Sequence, residues 1–146
     1  MSAPAVSSAQ PSRPLGRSIG AIFAGVLVVV VLSVATDRVL ESTGILPAPG
    51  QPMDDNLFLL ATVYRTIYGL IGAYITALVA SYRRMQHALL LGVVGVVLGT
   101  IGAITMWNAP AAIGHHWYPI ALVVLAIPQS WAGGQLRMLQ LRATRP

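Results

Sequence analysis

Side chains that could carry acid–base, nucleophilic or metal chemistry are scarce in this chain. The sequence contains nine arginines, no lysine, four acidic residues, three histidines and no cysteine. The lack of cysteine excludes a disulfide framework, a cysteine-ligated metal and a thiol nucleophile. Neither a nucleophile–base set nor a glycine-rich phosphate loop is present. We therefore predict no catalytic residues and no cofactor, and the residue types do not favour an enzyme.

One group of residues has the chemistry of metal ligands. His115 and His116 are adjacent, and they could be joined by Asp54 or Asp55. Adjacent histidines rarely bind one ion, and the helical i, i+4 spacing of a ligand pair is missing. We therefore predict no metal site. His87 is interpreted as a residue at the membrane interface.

Three charged residues are candidates for a polar cluster at the outer rim of a membrane domain. Asp37 and Glu41 are four residues apart, so they share one helix face. With Arg17 and Arg83 as markers of the inner boundary, Asp37 lies about 30 Å and Arg65 about 27 Å above it, at about 1.5 Å per helical residue. We predict an ion pair between Asp37 and Arg65, with Glu41 as a further member. The alternative is that Arg65 extends alone to the outer headgroups.

A second polar group lies deep in the last apolar segment. Gln129 and Ser130 follow Pro128, and Gln129 precedes Arg137 by eight residues, which places it about 12 Å deep, near the membrane midplane. Pro128 removes one helical hydrogen bond and is expected to kink the helix. A hydrogen-bonding joint between helices is the favoured interpretation, and a substrate contact is the alternative.

Glycines form a stripe in the third apolar segment. Spacings of three, four and three residues place them on one helix face, where small residues let helices approach closely in lipid. We predict packing within the chain, with contact to a second copy as the alternative. The stripe consists of Gly92, Gly95, Gly99 and Gly102.

The amino-acid composition indicates the class of protein to which these residues belong. Hydrophobic residues make up 55% of the 146-residue chain and charged residues 9%, and the mean hydropathy is +0.71. An average soluble domain carries about 25% charged residues, so these values exclude a soluble globular domain, and they equally exclude a disordered chain. The net charge of +5 could suggest nucleic-acid binding, but the arginines are scattered between apolar runs. We predict an integral membrane protein whose partner is the lipid bilayer, with no nucleic-acid partner.

Apolar runs and loop residues predict four membrane-spanning helices. Each run is close to the ~20 residues that cross a bilayer. Asn108, Pro110 and Gly114 mark a turn between the last two. The first run also resembles a signal peptide with a cleavage site after Ala35, although it is longer than such segments usually are, and we favour a retained helix. The predicted spans are about 18–40, 57–82, 88–107 and 117–136, with a disordered tail at 1–17 and a second tail at 138–146.

The distribution of arginine predicts the orientation. With four spans, both termini and the middle connection share one side, and that side carries seven arginines and no acid. The positive-inside rule places this side in the cytoplasm. We therefore predict an all-α membrane protein, a four-transmembrane-helix antiparallel bundle with both termini cytoplasmic. The seven residues are Arg13, Arg17, Arg83, Arg84, Arg137, Arg142 and Arg145.

The region from about Arg17 to Arg137 resembles a group of small bacterial four-span membrane proteins of uncharacterised activity. This resemblance implies a bacterial inner membrane and no particular mechanism. Small multidrug exporters are similar in size, but they need a carboxylate in the first span, where this chain has none. We expect a structural or accessory role, with a small transporter or channel subunit using Gln129 and Arg65 as the alternative. The resemblance is carried by Asp37, Gln51-Pro52-Met53, Tyr64-Arg65, Tyr68-Gly69, Met85, His87-Ala88, Trp117-Tyr118-Pro119, Trp131 and Gly133-Gly134.

Overall fold

The computed structural model describes residues 15–108, 110 and 115–144, and within these ranges the chain is all-helical. No strand occurs in them, which confirms the predicted all-α class for this part of the chain. Most of the predicted N-terminal tail and Gly114 of the predicted turn lie outside the described residues. The four helices are α1 (Leu15–Ser42), α2 (Asp55–Val79), α3 (Arg84–Met106) and α4 (Trp117–Ala143).

The end of α1 is fixed by a glycine cap. Gly44 has a φ of +74°, and its N–H donates to the carbonyl of Glu41 while the N–H of Ile45 donates to the carbonyl of Leu40. These are the two hydrogen bonds of a Schellman motif, in which glycine adopts the left-handed conformation at no steric cost. The chain then passes through a loop of residues 43–54, from which Leu46 is buried.

Of the remaining boundaries, the start of α4 agrees with the prediction, and the others differ from it by one to seven residues. α3 begins four residues earlier than predicted, directly after a turn at residues 80–83. α4 passes through Pro128 and continues beyond Arg137 to Ala143, so most of the predicted C-terminal tail is helical. Asp54 occupies the position before α2, as its residue type suggests, but its side chain makes no capping hydrogen bond. Sequence signals locate helix ends poorly because turns compete with one more helical residue for small differences in free energy.

The helices run alternately up and down, and α2 is the central one because its contacts with the other three helices are the most extensive. α4 packs against α2 and α3, while α1 packs mainly on α2 and more sparsely on α3. We call the end that carries loop 43–54 the loop end. The opposite end, where α1 begins and α4 finishes, is the tail end. The sparse α1–α3 contact leaves a seam along one side of the bundle.

Small residues form the interior of the bundle. The buried core cluster consists of three alanines and Leu91. A Cβ atom at Gly25 would lie 2.8 Å from the carbonyl oxygen of Gly72, so α1 and α2 touch backbone to backbone there. A Cβ at Gly133 would lie 2.9 Å from the backbone nitrogen of Tyr74, so α4 approaches α2 in the same way. Close approach of this kind maximises van der Waals contact, which replaces the hydrophobic driving force in lipid.

Most large apolar side chains face outward instead of inward. Val30, Val97 and Val124 are each about half exposed or more, and similar residues occur on all four helices. Three helices are long and apolar enough to cross a membrane: the Gly16–Ser42 part of α1, all of α2 and all of α3. α4 is as long but less apolar on average, because Gln129, Ser130 and a glycine pair interrupt it. The described structure is therefore that of a helical bundle compatible with a membrane protein.

Candidate functional site

The most polar contact between helices lies near the loop end and joins α1 to α2. Arg65 Nη2 donates to Asp37 Oδ2 at 2.6 Å. The hydroxyl of Tyr64 donates to the other carboxylate oxygen, Oδ1 of Asp37. Both oxygens of this carboxylate are thus engaged by adjacent residues of α2. We call Asp37, Tyr64 and Arg65 the loop-end cluster.

The cluster is half-buried and braced by its neighbours. The side chains of Arg65 and Asp37 are 34% and 25% exposed, which is too buried for a solvated surface pair. The Arg65 guanidinium carbon lies 5.9 Å from the centre of the Tyr64 ring, within the range of a cation–π contact. One helical turn away from Tyr64, the Tyr68 hydroxyl lies 2.7 Å from Thr36 Oγ1. Two consecutive turns of α2 are therefore tied to α1 by side-chain hydrogen bonds.

Glu41 is engaged elsewhere than with Arg65. Its carboxylate accepts a hydrogen bond from Arg38 Nη1 at 3.1 Å, three residues earlier on the same helix. The Arg38 side chain is 72% exposed, so this is a surface pair. Of the four acidic residues, Asp37 is the one that Arg65 contacts. The expected third member of the cluster thus lies beside it without contacting the guanidinium.

A cavity of about 300 Å³ lies over the loop-end cluster and beneath loop 43–54. The charged residues in its wall are Asp37, Glu41 and Arg65, which sum to one net negative charge. The floor is aromatic, and the loop covers it with prolines. Its remaining lining residues are Leu46, Pro47, Ala48, Pro49, Gly50, Gln51, Met53, Phe58, Ala61, Tyr64, Met106 and Tyr118.

The two neighbouring histidines near the start of α4 have different partners. His115 Nδ1 lies 2.7 Å from Asp55 Oδ1, which also accepts a hydrogen bond from Trp117 Nε1 at 2.8 Å. His116 Nε2 lies instead 3.0 Å from the carbonyl oxygen of Trp107. In residues 15–108, 110 and 115–144, no three histidine or acidic side chains come together as metal ligands would. These contacts connect α4 to the ends of α2 and α3.

Gln129 and Ser130 both face other helices of the bundle. Ser130 is buried against Gly92, where an added Cβ would lie 2.9 Å from its hydroxyl oxygen. The Gln129 amide occupies the space that a side chain at Gly69 would take. Its Oε1 atom is buried and meets no hydrogen-bond donor among the described residues. Unsatisfied polar atoms are costly in an apolar interior, so this oxygen destabilises the bundle centre, as does Thr76 Oγ1, which is also buried without a partner among the described residues.

A cavity of about 100 Å³ lies beside Gln129. Val30 and Leu98, both half exposed, form part of its wall, so it opens at the seam between α1 and α3. Apart from Gln129 and Ser130 its lining is apolar or glycine. It shares no lining residue with the cavity over the loop-end cluster.

The glycine stripe of α3 faces α4 over most of its length. Added Cβ atoms would meet Ser130 from Gly92, Ala126 from Gly95 and Val123 from Gly99. Gly102 has nothing within 4 Å of such an atom. Three of the four glycines therefore serve packing within the chain, and the fourth borders open space among the described residues.

Two residues of these sites do not stand out in the sequence as site residues. Tyr64 is one of several aromatic residues of the outer rim, and only its position directly before Arg65 indicates that it can reach the same carboxylate. Gly69 belongs to a general pattern of small residues, and nothing local indicates that an amide from α4 fills its place. No protein-family model, curated protein or solved structure matches the chain.

Proposed function

We propose that this chain is a four-span integral membrane protein of a bacterial inner membrane, with both termini in the cytoplasm. Three helices already have the required length and composition. For α4, the support comes from an outward apolar stripe at spacings of four, three and four residues. It consists of Ile120, Val124, Ile127 and Trp131, which are 38–63% exposed. Such a stripe suits lipid, while the polar residues of α4 face the other helices.

The orientation is supported by charge and by the two ends of the bundle. All four acids lie at the loop end or its rim, and the described arginines at the tail end have no acid near them in the sequence. This asymmetry is the one that the positive-inside rule associates with a cytoplasmic tail end. Cleavage of the first apolar segment as a signal peptide is disfavoured because α1 continues without a break past Ala35 to Ser42.

The role that the geometry supports best is structural or accessory, without enzymatic activity. The observation that carries it is the separation of the two interior cavities, which share no lining residue. A permeation path between Arg65 and Gln129 would need them to be continuous. The Tyr64 hydroxyl and Arg65 Nη2 also both donate to Asp37, which holds two helices together. A non-transporting membrane partner, or a second copy of the chain, would then contact the exposed faces.

Transport or channel activity is the second candidate. The unsatisfied Oε1 of Gln129, beside a cavity at mid-height, is the observation that favours it. A kinked helix with an amide at mid-membrane is an arrangement that transporters use for binding. This reading requires the α1–α3 seam to open far enough to join both cavities.

Labelling of single cysteines tests the topology, since the chain has none of its own. Gln51→Cys, His116→Cys and Thr144→Cys would be treated with a membrane-impermeant maleimide on spheroplasts. We expect labelling at positions 51 and 116 and protection at position 144 until the membrane is permeabilised. Labelling of positions 116 and 144 from the same side would show that α4 does not cross. Labelling of position 144 alone would show that the orientation is the reverse of the proposed one.

Reconstitution separates the two candidate roles. Proteoliposomes would carry an internal pH-sensitive dye, with proton flux driven by a potassium diffusion potential and compared with that of empty liposomes. The accessory role predicts equal flux. Flux above that of empty liposomes that is lost in Gln129→Leu, but kept in the surface variant Arg142→Gln, which lines neither interior cavity, would establish the transport reading instead.

A further inference from the structure

A basic groove lies at the tail end, between the α2–α3 turn and the last turns of α4. Its volume is about 340 Å³. It lies apart from both interior cavities, and neither the loop-end cluster nor Gln129 takes part in it. The groove is lined by Ser81, Tyr82, Arg83, Arg84, Met85, Gln86, Met138 and Leu141.

The two guanidinium groups of the groove meet only neutral acceptors among the described residues. Arg84 Nε donates to the carbonyl of Ala80 at 2.9 Å, which fixes the side chain and leaves its terminal nitrogens without a hydrogen-bond partner there. Arg83 Nη1 lies 3.4 Å from Gln86 Oε1. The nearest acid in the sequence is Asp55, at the opposite end of α2. Among the described residues, the groove thus carries two positive charges with no carboxylate to neutralise them.

The backbone holds one residue of this arginine pair, Arg83, in an unfavourable conformation. Arg83 has a φ of +44° and is the only described residue other than glycine with a positive φ. The left-handed region is unfavourable for a residue with a Cβ atom, and glycine is the usual occupant. Strained residues of this kind cluster at functional sites. Arg83 therefore places a charged side chain at a turn position whose backbone conformation favours glycine.

The other side of the groove is apolar. Met85 comes from α3, and Met138 and Leu141 come from α4. Guanidinium groups beside apolar side chains, at the boundary of a membrane domain, match an amphiphilic anion better than a free one. Basic pockets between transmembrane helices on the cytoplasmic side bind the headgroups of anionic lipids.

We propose that this groove binds the headgroup of an anionic phospholipid, with Arg83 and Arg84 contacting its phosphate and the apolar residues contacting the start of the acyl chains. The inference rests on the proposed membrane location of the chain, with the tail end at a bilayer surface. The inference goes beyond this proposed location by assigning a lipid class and a binding site. Guanidinium groups suit this ligand because their planar donors match phosphate oxygens.

Native mass spectrometry of the full chain in detergent tests the site. The protein would be titrated with phosphatidylglycerol and, separately, with phosphatidylcholine, which carries the same phosphate but no net charge. At about 1 kcal/mol for each arginine, loss of both charges corresponds to about a 30-fold weaker phosphatidylglycerol binding. We expect this loss in the double variant Arg83→Gly, Arg84→Gln, with phosphatidylcholine binding unchanged. Arg83→Gly is chosen because glycine suits the backbone of the turn, so folding is preserved.

Arg142→Gln is the matched control, because Arg142 is also a tail-end arginine but does not line the groove. It should bind both lipids as the wild type does. Equal binding of the two lipids by the wild type, or a double variant that keeps its preference for phosphatidylglycerol, would overturn the proposal. Displacement of bound lipid by millimolar inorganic phosphate would also overturn it, since the ligand would then be a free anion. Absence of a preference for phosphatidylglycerol in the wild type, together with the expected cysteine labelling, would contradict this inference alone and leave the proposed topology standing.

Discussion

A double-mutant cycle on the loop-end cluster is the sharpest test of how α1 is held to α2. The variants are Asp37→Asn, Arg65→Gln and the two combined. Removing one partner of a fully buried ion pair costs about 3–5 kcal/mol, whereas an exposed pair contributes about 1 kcal/mol or less. The side chains of this pair are 34% and 25% exposed, which places it between those limits. We expect each single variant to lower the free energy of unfolding by about 2 kcal/mol, with a coupling energy of about 1–2 kcal/mol.

The assay is unfolding by sodium dodecyl sulfate in mixed micelles, followed by the loss of helical circular dichroism. The surface pair of Arg38 and Glu41 is the matched control, since it joins two charges within a single helix. Its cycle should give a coupling energy below about 0.5 kcal/mol. If the effects of Asp37→Asn and Arg65→Gln add to within about 0.5 kcal/mol, the two charges do not stabilise the fold as a pair, and Arg65 instead acts alone at the membrane surface.

Two further predictions concern the glycines of the interior. Gly133→Ala should lower the free energy of unfolding by about 1–3 kcal/mol, as overpacking does, because its Cβ would meet the backbone of α2; Gly20→Ala, at an open position of α1, should change it by less than about 0.5 kcal/mol in the same assay. Gly69→Ala should displace the Gln129 amide and destabilise the protein, and adding Gln129→Ala should recover at least half of that loss. Equal effects at positions 133 and 20, or additive effects at 69 and 129, would contradict the packing described.

The level of the charged residues could be predicted from the sequence, but their partners could not. Residue counting places Asp37 and Arg65 at similar heights because the rise of a helix is the same in every sequence. It leaves open which way each side chain points around the helix axis, and that angle depends on packing. The structure brings Arg65 to Asp37 at 2.6 Å and leaves Glu41 with Arg38. Tyr64, the second donor to Asp37, follows from the same rotation of α2.

The packing partners of the small residues, too, could not be predicted from the sequence. A stripe of glycines at helical spacing predicts close approach of another helix, but it does not identify which helix that is. Gly92, Gly95 and Gly99 face α4, whereas Gly102 in the same stripe faces open space. Gly69 is explained only by Gln129, which lies on another helix sixty residues away along the chain. Such pairs are long-range in sequence, so only the assembled bundle reveals them.

The contact of α1 with α2 is stabilised by different interactions at the loop end and at mid-height, and this bears on where the protein could change shape. At the loop end, Asp37 accepts hydrogen bonds from α2 and the Thr36 hydroxyl shares one with it, which ties α1 to α2. These contacts are directional and depend on charge. Toward mid-height, α1 rests on α2 through backbone contact at Gly25, which a small rotation would break. Since α1 packs only sparsely on α3, a displacement of α1 would open the seam beside Gln129 first. The loop-end contacts restrain that displacement, so weakening them should expose the central cavity to lipid before the α2–α4 contacts separate.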